Sequence, residues 1–231
     1  MKPNNKRAKI AEQLIWIVTG LQMAFLISTF LQYLLLKNIS NGVFTSIEQA
    51  NFNDMRQLII SVMYSIAFIV SAVTFIQWFR RAYYNQEILF VHMGTTNGWA
   101  AGAWFVPIMN LFKPYQMMKE LYFNAENRLV DNGLETEKKN RFTIIGSWWT
   151  MWIVLSISNR ILSAVSNNSQ VVDVMIGASI FSMVLSFLFL PLGILAVKTI
   201  RNYNEMELKL MDSQDGNQPA LKNQDLLDSY L

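Results

Sequence analysis

Four blocks of almost unbroken apolar residues dominate the chain, at 14–36, 58–79, 142–165 and 174–197. Each is 22–24 residues long, and a helix needs roughly 20 residues to cross about 30 Å of hydrocarbon at about 1.5 Å per residue. A surface helix of a soluble domain would carry one apolar stripe and one polar face; these blocks are apolar all round. The pattern predicts an all-α integral membrane protein with four transmembrane helices, forming a single domain over 1–204.

Between the second and third blocks the pattern changes. Residues 98–112, "GWAAGAWFVPIMNLF", are apolar and aromatic but short, and Pro107 and Asn110 interrupt them. From Pro114 onward Tyr115, Met118, Tyr122, Ala125 and Leu129 recur at alternating spacings of 3 and 4, with Lys119, Glu120, Asn124, Glu126 and Arg128 between them. That periodicity predicts an amphipathic helix over 114–132, with Pro114 in its first turn and Gly133 as the C′ residue. Such a helix is expected to lie along the inner headgroup surface with its apolar stripe facing lipid. Residues 80–90 are expected to prolong the second span as a helical stalk. Residues 205–231 lack periodicity and hold Gly and Pro, which predicts a disordered cytoplasmic tail.

Charge then fixes orientation. Lys and Arg in short loops resist translocation. With four spans and the N-terminus inside, all of the 19 basic residues except Lys37, Arg56 and Arg160 fall on the inner side. If 98–112 crossed, the six basic residues from Lys113 to Arg141 would move outside. Residues 98–112 are therefore expected to be a cytoplasmic-side re-entrant or interfacial segment, with both chain termini cytoplasmic. Broken backbone at that depth has to pack on protein or water. The basic start "MKPNNKRAKI" precedes a run too long for a signal peptide, so it reads as an uncleaved first span.

The stretch "GWAAGAWFVPIMNLFKPYQMMKEL" resembles the hallmark of a bacterial membrane family, domain of unknown function 4328. The family core W-F-x-P-x-x-N-L-x-x-P-Y is matched by Trp104, Phe105, Pro107, Asn110, Leu111, Pro114 and Tyr115. "GSWWTMWIVLSISNRI" is similar to the family's second block, with Trp148, Trp149, Trp152 and then Arg160, and "WFRRAYYN" (residues 78–85) also fits. The resemblance covers about residues 55–200. It implies a multi-span protein of the bacterial cytoplasmic membrane and no particular reaction.

Several constellations have competing readings. Trp99, Trp104, Trp148, Trp149 and Trp152 are either an interfacial belt or an aromatic pocket for a lipid headgroup or cation. Pro107, Asn110 and Pro114 form a turn in which Asn110 either caps freed backbone groups or the following helix, or helps broken backbone hold a substrate. Together Trp99, Trp104, Phe105, Pro107, Asn110, Pro114 and Tyr115 are the candidate interaction surface. In the third span Ser156, Arg160, Ser163 and Asn167 make one polar stripe, with Asp173 as the obvious partner for Arg160. It reads as a polar path or as a snorkelling Arg with a structural pair. Ala178, Ser182 and Ser186 suit helix packing, and His92 suits an exposed position.

Absences narrow the field. There is no cysteine, so thiolate chemistry and disulfides are excluded. No Asp or Glu lies inside a span, and no Walker A, H-E-x-x-H or G-x-S-x-G pattern occurs. No cofactor and no catalytic residue is implied. The basic balance suits anionic lipid, not nucleic acid. The leading expectation is a non-enzymatic membrane protein working through protein or lipid contacts at its inner face, with membrane lipids, a second copy or a membrane protein as partner. The alternatives are a small transporter or channel along the Ser156–Asn167 stripe and, less favoured, a lipid-acting enzyme using Glu87, His92, Glu120 or Glu126.

Overall fold

The computed structural model describes residues 1–89, 93–134, 140–167 and 171–228, with side chains up to 213 and Asn167 excepted. Among these residues all regular structure is helical: α1 (Asn5–Ser40), α2 (Ile47–Leu89), α3 (Asn97–Gly102), a 3-10 turn (Met109–Leu111), α4 (Lys113–Asp131), α5 (Arg141–Asn167) and α6 (Val172–Asp228). Three helices, α1, α2 and α6, are long and apolar enough to cross a membrane. No more than 33% of any of their apolar stretches is buried, so protein does not cover them. α5 has the length for a crossing, but Trp148, Trp149, Trp152, Asn159 and Arg160 dilute its aliphatic content.

The chain forms two compact units. One comprises Glu12–Val73 and Ser147–Val197, and its polar and apolar residues are placed unlike those of a soluble domain. Its interior holds Thr19, Gln22, Ser28, Thr29, Asn53, Ser71, Ser179 and Ser186 beside Leu36, Trp148, Trp149, Leu155, Leu185 and Leu192. Its exposed residues include Ile17, Ile27, Ile59, Ile66, Ile69, Val154, Ile161 and Phe187. Lipid offers apolar side chains nothing to escape from, so helices in a bilayer associate through small residues and interhelical hydrogen bonds. Gln22 Nε2 donates to Ser186 Oγ at 3.0 Å, joining α1 to α6, and Gln57 Nε2 donates to Gln32 Oε1 at 2.7 Å, joining α2 to α1. Gly193 supplies the close approach between α1 and α6. A Cβ there would lie 2.3 Å from Thr19 Oγ1.

The other unit comprises Met1–Ala11, Thr74–Gly146 and Lys198–Leu231, and its core is of the ordinary kind. Trp78, Phe79, Tyr83, Met118, Leu121, Tyr122, Leu129, Ile200 and Tyr203 are buried. The helical stalk expected over 80–90 is the last part of α2, helical as far as Leu89. α4 forms where its periodicity predicts, and Gly133 (φ 70°) is its C′ residue. Gly133 N–H bonds to Val130 O and Leu134 N–H to Leu129 O, both at 2.9 Å, which is the Schellman arrangement.

One expectation is corrected here. The apolar stripe of α4 does not face lipid: Met118, Tyr122, Ala125 and Leu129 are at most 1% exposed, covered by protein. The Tyr122 ring lies 5.7 Å from that of Tyr203, and its hydroxyl donates to Thr199 O. α6 runs on past 205 to Asp228. Met206, Glu207 and Leu210 follow Tyr203 at helical spacing and are 1–2% exposed, so the stripe they form keeps the helix going.

Candidate interaction surface

Residues 97–112 fold around one anchor, Trp104. Ala100 and Ala103 are fully buried. The Trp104 indole N–H donates to Ala100 O at 3.1 Å. Its ring meets Phe75 edge-on at 5.5 Å and Phe79 at 6.1 Å, the geometry the ring quadrupoles favour. Trp104 is therefore a packing residue.

With that side fixed, the other side of the segment is left facing outward. Phe105 is 75% exposed and Ile108 72%, and Trp99, Leu111 and Phe112 are each more than 40% exposed. Ile108 also has φ 69°, a left-handed conformation that β-branched residues avoid. Such strain costs on the order of 1–3 kcal/mol and is held only where the surroundings over-determine it. Pro107 is exposed and Asn110 half-buried. Asn110 does not cap the following helix: Phe112 occupies the N-cap of α4, with no side-chain cap bond. Pro114 is buried one residue inside α4. Tyr115 is half-buried, its hydroxyl close to Gly146. The Lys119 ammonium lies 5.6 Å from the Tyr115 ring and 5.8 Å from the Phe142 ring, within cation–π range.

A second set of bonds holds the approach to this segment. Glu120 accepts from Tyr83 OH and from the Gly94 N–H, both at 2.7 Å, and Tyr83 OH also bonds Thr95 at 2.8 Å. Burial, followed by the Glu120 bond, pushes the Tyr83 phenol well above its ordinary range, so it stays a neutral donor. Asn97 donates to Glu87. Glu87 and Glu120 thus act as loop anchors. No group of three metal-ligating residues occurs among the described residues, and His92 lies outside them.

Sequence reasoning missed a buried node in the same unit. Glu207, 1% exposed, accepts from Asn85 Nδ2 at 2.6 Å and from Asn4 Nδ2 at 3.0 Å. Asn85 also holds the Lys2 backbone at two points, accepting from its N–H and donating to its carbonyl, each at 2.9 Å. Burial raises the Glu207 carboxyl pKa, and the Asn85 and Asn4 bonds and the Arg81 charge oppose the rise. The usable signal was the Tyr203, Met206, Leu210 stripe, which needs no irregular tail.

The remaining candidates are dispersed. Trp148 meets Trp149 edge-on at 5.6 Å and Trp149 stacks on Trp152 at 4.9 Å; all three belong to the unit that includes Ser147–Val197, while Trp99 and Trp104 belong to the other. Ser156 is half-buried, whereas Arg160, Ser163 and Asp173 are exposed. The Asn167 side chain lies outside the described residues. Ser186 of the small-residue face is buried, bonded to Gln22.

No curated protein and no solved structure matches the chain. A family model does, over residues 41–205, so the Trp104 anchor, the exposed segment and the paired tryptophans of α5 all lie within the matched region. The chain belongs to the family described as domain of unknown function (DUF4328).

Proposed function

We propose that this is a four-span protein of the bacterial cytoplasmic membrane, with α5 as the third crossing and both termini in the cytoplasm. It acts, without catalysis, by contact at its inner face, where residues 97–112 enter the interfacial lipid as a re-entrant wedge. The observation that carries the reading is the division of this segment: Trp104 is locked against Phe75 and Phe79, while Phe105 and Ile108 stand out at 75% and 72% exposure. A rigid base and an apolar tip beside Lys113 and Lys119 suit an interface whose upper level is anionic and whose lower level is hydrocarbon. Exposure of Val154, Ile157, Ile161 and Val165 on α5 supports its placement in lipid. The alternative polar path along Ser156, Arg160, Ser163 and Asn167 has less support, because Arg160 and Ser163 face out of their unit.

The absence of cysteine makes the test direct. Nitroxide labels on Phe105→Cys and Ile108→Cys in reconstituted protein should collide with dissolved oxygen far more than with a water-soluble nickel chelate; the reverse ranking would remove the wedge. Asn132→Cys should react with an impermeant maleimide only in inverted vesicles, and labelling of intact cells would overturn the topology. Alanine changes at Trp104, Asn110 and Tyr115 that left lipid binding, partner capture and cell phenotype untouched would end the contact reading.

A further inference from the structure

Arg56 carries an observation that the wedge does not use. Its Nε donates to Ser28 Oγ at 3.0 Å, and its NH2 group donates to Ser28 O at 3.1 Å and to Asn53 Oδ1 at 2.6 Å. These bonds draw the guanidinium to the level of Ser28 on α1. Ser28 lies eight residues inside the outer end of the 14–36 apolar run, or about 12 Å at the helical rise. Arg56 reads as a loop residue in sequence, yet its charge sits at hydrocarbon depth, where an unneutralised cation is costly.

All three of those bonds go to neutral oxygens, and the NH1 group takes part in none of them. Thr29 beside Ser28 is 3% exposed, and its hydroxyl oxygen has no hydrogen-bond partner among the described residues. Two surface features continue from the fork. Phe52 and Met55 flank it at 69% and 57% exposure, and Ile59, Met63 and Ile66 run on along α2 at 51–59%. A braced cation with a free edge above an apolar track has the chemistry of a phospholipid: a phosphate for the guanidinium and an acyl chain for the track.

We propose that Arg56 binds the phosphate of an anionic phospholipid on the α1–α2 hairpin, with an acyl chain lying along Ile59, Met63 and Ile66. The site rests on α1 and α2 crossing the bilayer and is independent of the wedge. Ser28 and Asn53 act as positioning residues that hold the fork for bidentate contact.

Native mass spectrometry of the full chain in neutral detergent, titrated with dioleoyl phosphatidylglycerol, dioleoyl phosphatidylcholine or inorganic phosphate, tests this. The wild type is expected to retain phosphatidylglycerol in preference to phosphatidylcholine. Arg56→Leu should weaken that retention about tenfold, the scale of one charge-assisted hydrogen bond. Ser28→Ala keeps the charge and loses the brace, so it should weaken retention by a smaller factor; it also covers the case in which Arg56→Leu fails to fold. Equal retention of the two lipids, wild-type retention in both variants, or competition by inorganic phosphate at lipid-like concentration would overturn the site. Labels at Phe105 and Ile108 read the wedge, whereas the Arg56 and Ser28 variants leave residues 97–112 untouched, so a failure of the wedge and a failure of this site are distinguishable.

Discussion

Replacing Gly193 by Ala adds one methyl group where α1 and α6 are closest. The new Cβ would lie 2.3 Å from Thr19 Oγ1, 3.3 Å from its Cγ2 and 3.4 Å from its Cβ. Ordinary contact begins near 3.4 Å, so the overlap with the hydroxyl is about 1.1 Å. The hydroxyl is not free to swing away, because it donates to Ile15 O at 2.8 Å; breaking that bond costs about 1 kcal/mol. Overpacking of this kind costs typically 1–3 kcal/mol, so Gly193→Ala is expected to destabilise by about 2–3 kcal/mol. Thr19→Ala removes the Oγ1 and Cγ2 atoms that collide and leaves the 3.4 Å contact. On its own it should cost less than about 1 kcal/mol, and the double variant should be nearer to Thr19→Ala than to Gly193→Ala. Reversible unfolding in mixed micelles, arranged as a double-mutant cycle, measures the coupling. If the two single costs simply added to within about 0.5 kcal/mol, α1 and α6 would not pack at this register.

Three further outcomes are expected. Glu207 has a carboxyl pKa raised by burial, so the folded state binds a proton that the unfolded state has released; its contribution is present at low pH and lost as pH rises from the unfolded value of 4.5 through the folded one. Glu207→Gln should flatten that part of the stability–pH profile, and an unchanged slope would count against a buried carboxylate. Tyr83→Phe removes the donor to Glu120 and should cost about 1–2 kcal/mol, seen as faster amide exchange at 93–97; unaltered protection there would show that the anchor is redundant. Leu210→Asp puts a charge at a position 1% exposed and should lower the melting temperature markedly, whereas an irregular tail at 205–213 would tolerate it.

The long helices were legible in sequence because bilayer thickness demands a minimum apolar length, and α1, α2 and α6 meet it. α4 was equally legible, down to the left-handed Gly133 that closes it. What the spacing of Tyr115, Met118, Tyr122, Ala125 and Leu129 left open was the occupant of the stripe. Periodicity reports that a face exists and is silent on whether lipid or Tyr203 covers it. Glu207 was hidden for a related reason: a carboxylate reads as solvent-exposed until Asn4, Asn85 and Arg81, distant in sequence, are brought around it. Arg56 was assigned by its neighbours in the chain, but the bonds that place it come from Ser28 on another helix. The candidate surface was half legible. The aromatic and proline content marked 97–112, yet only packing separates Trp104, which anchors, from Phe105 and Ile108, which stand out.

The buried hydroxyls and amides and the oily exterior of the unit made by 12–73 and 147–197 change the usual rules of substitution. On its outside, swapping Ile for Leu or Val changes nothing that matters, so those positions are free to drift in sequence as long as they stay greasy. Inside, the room for one extra carbon is already spent at Gly193, and Ser, Thr and Gln are the residues that selection has least freedom to replace.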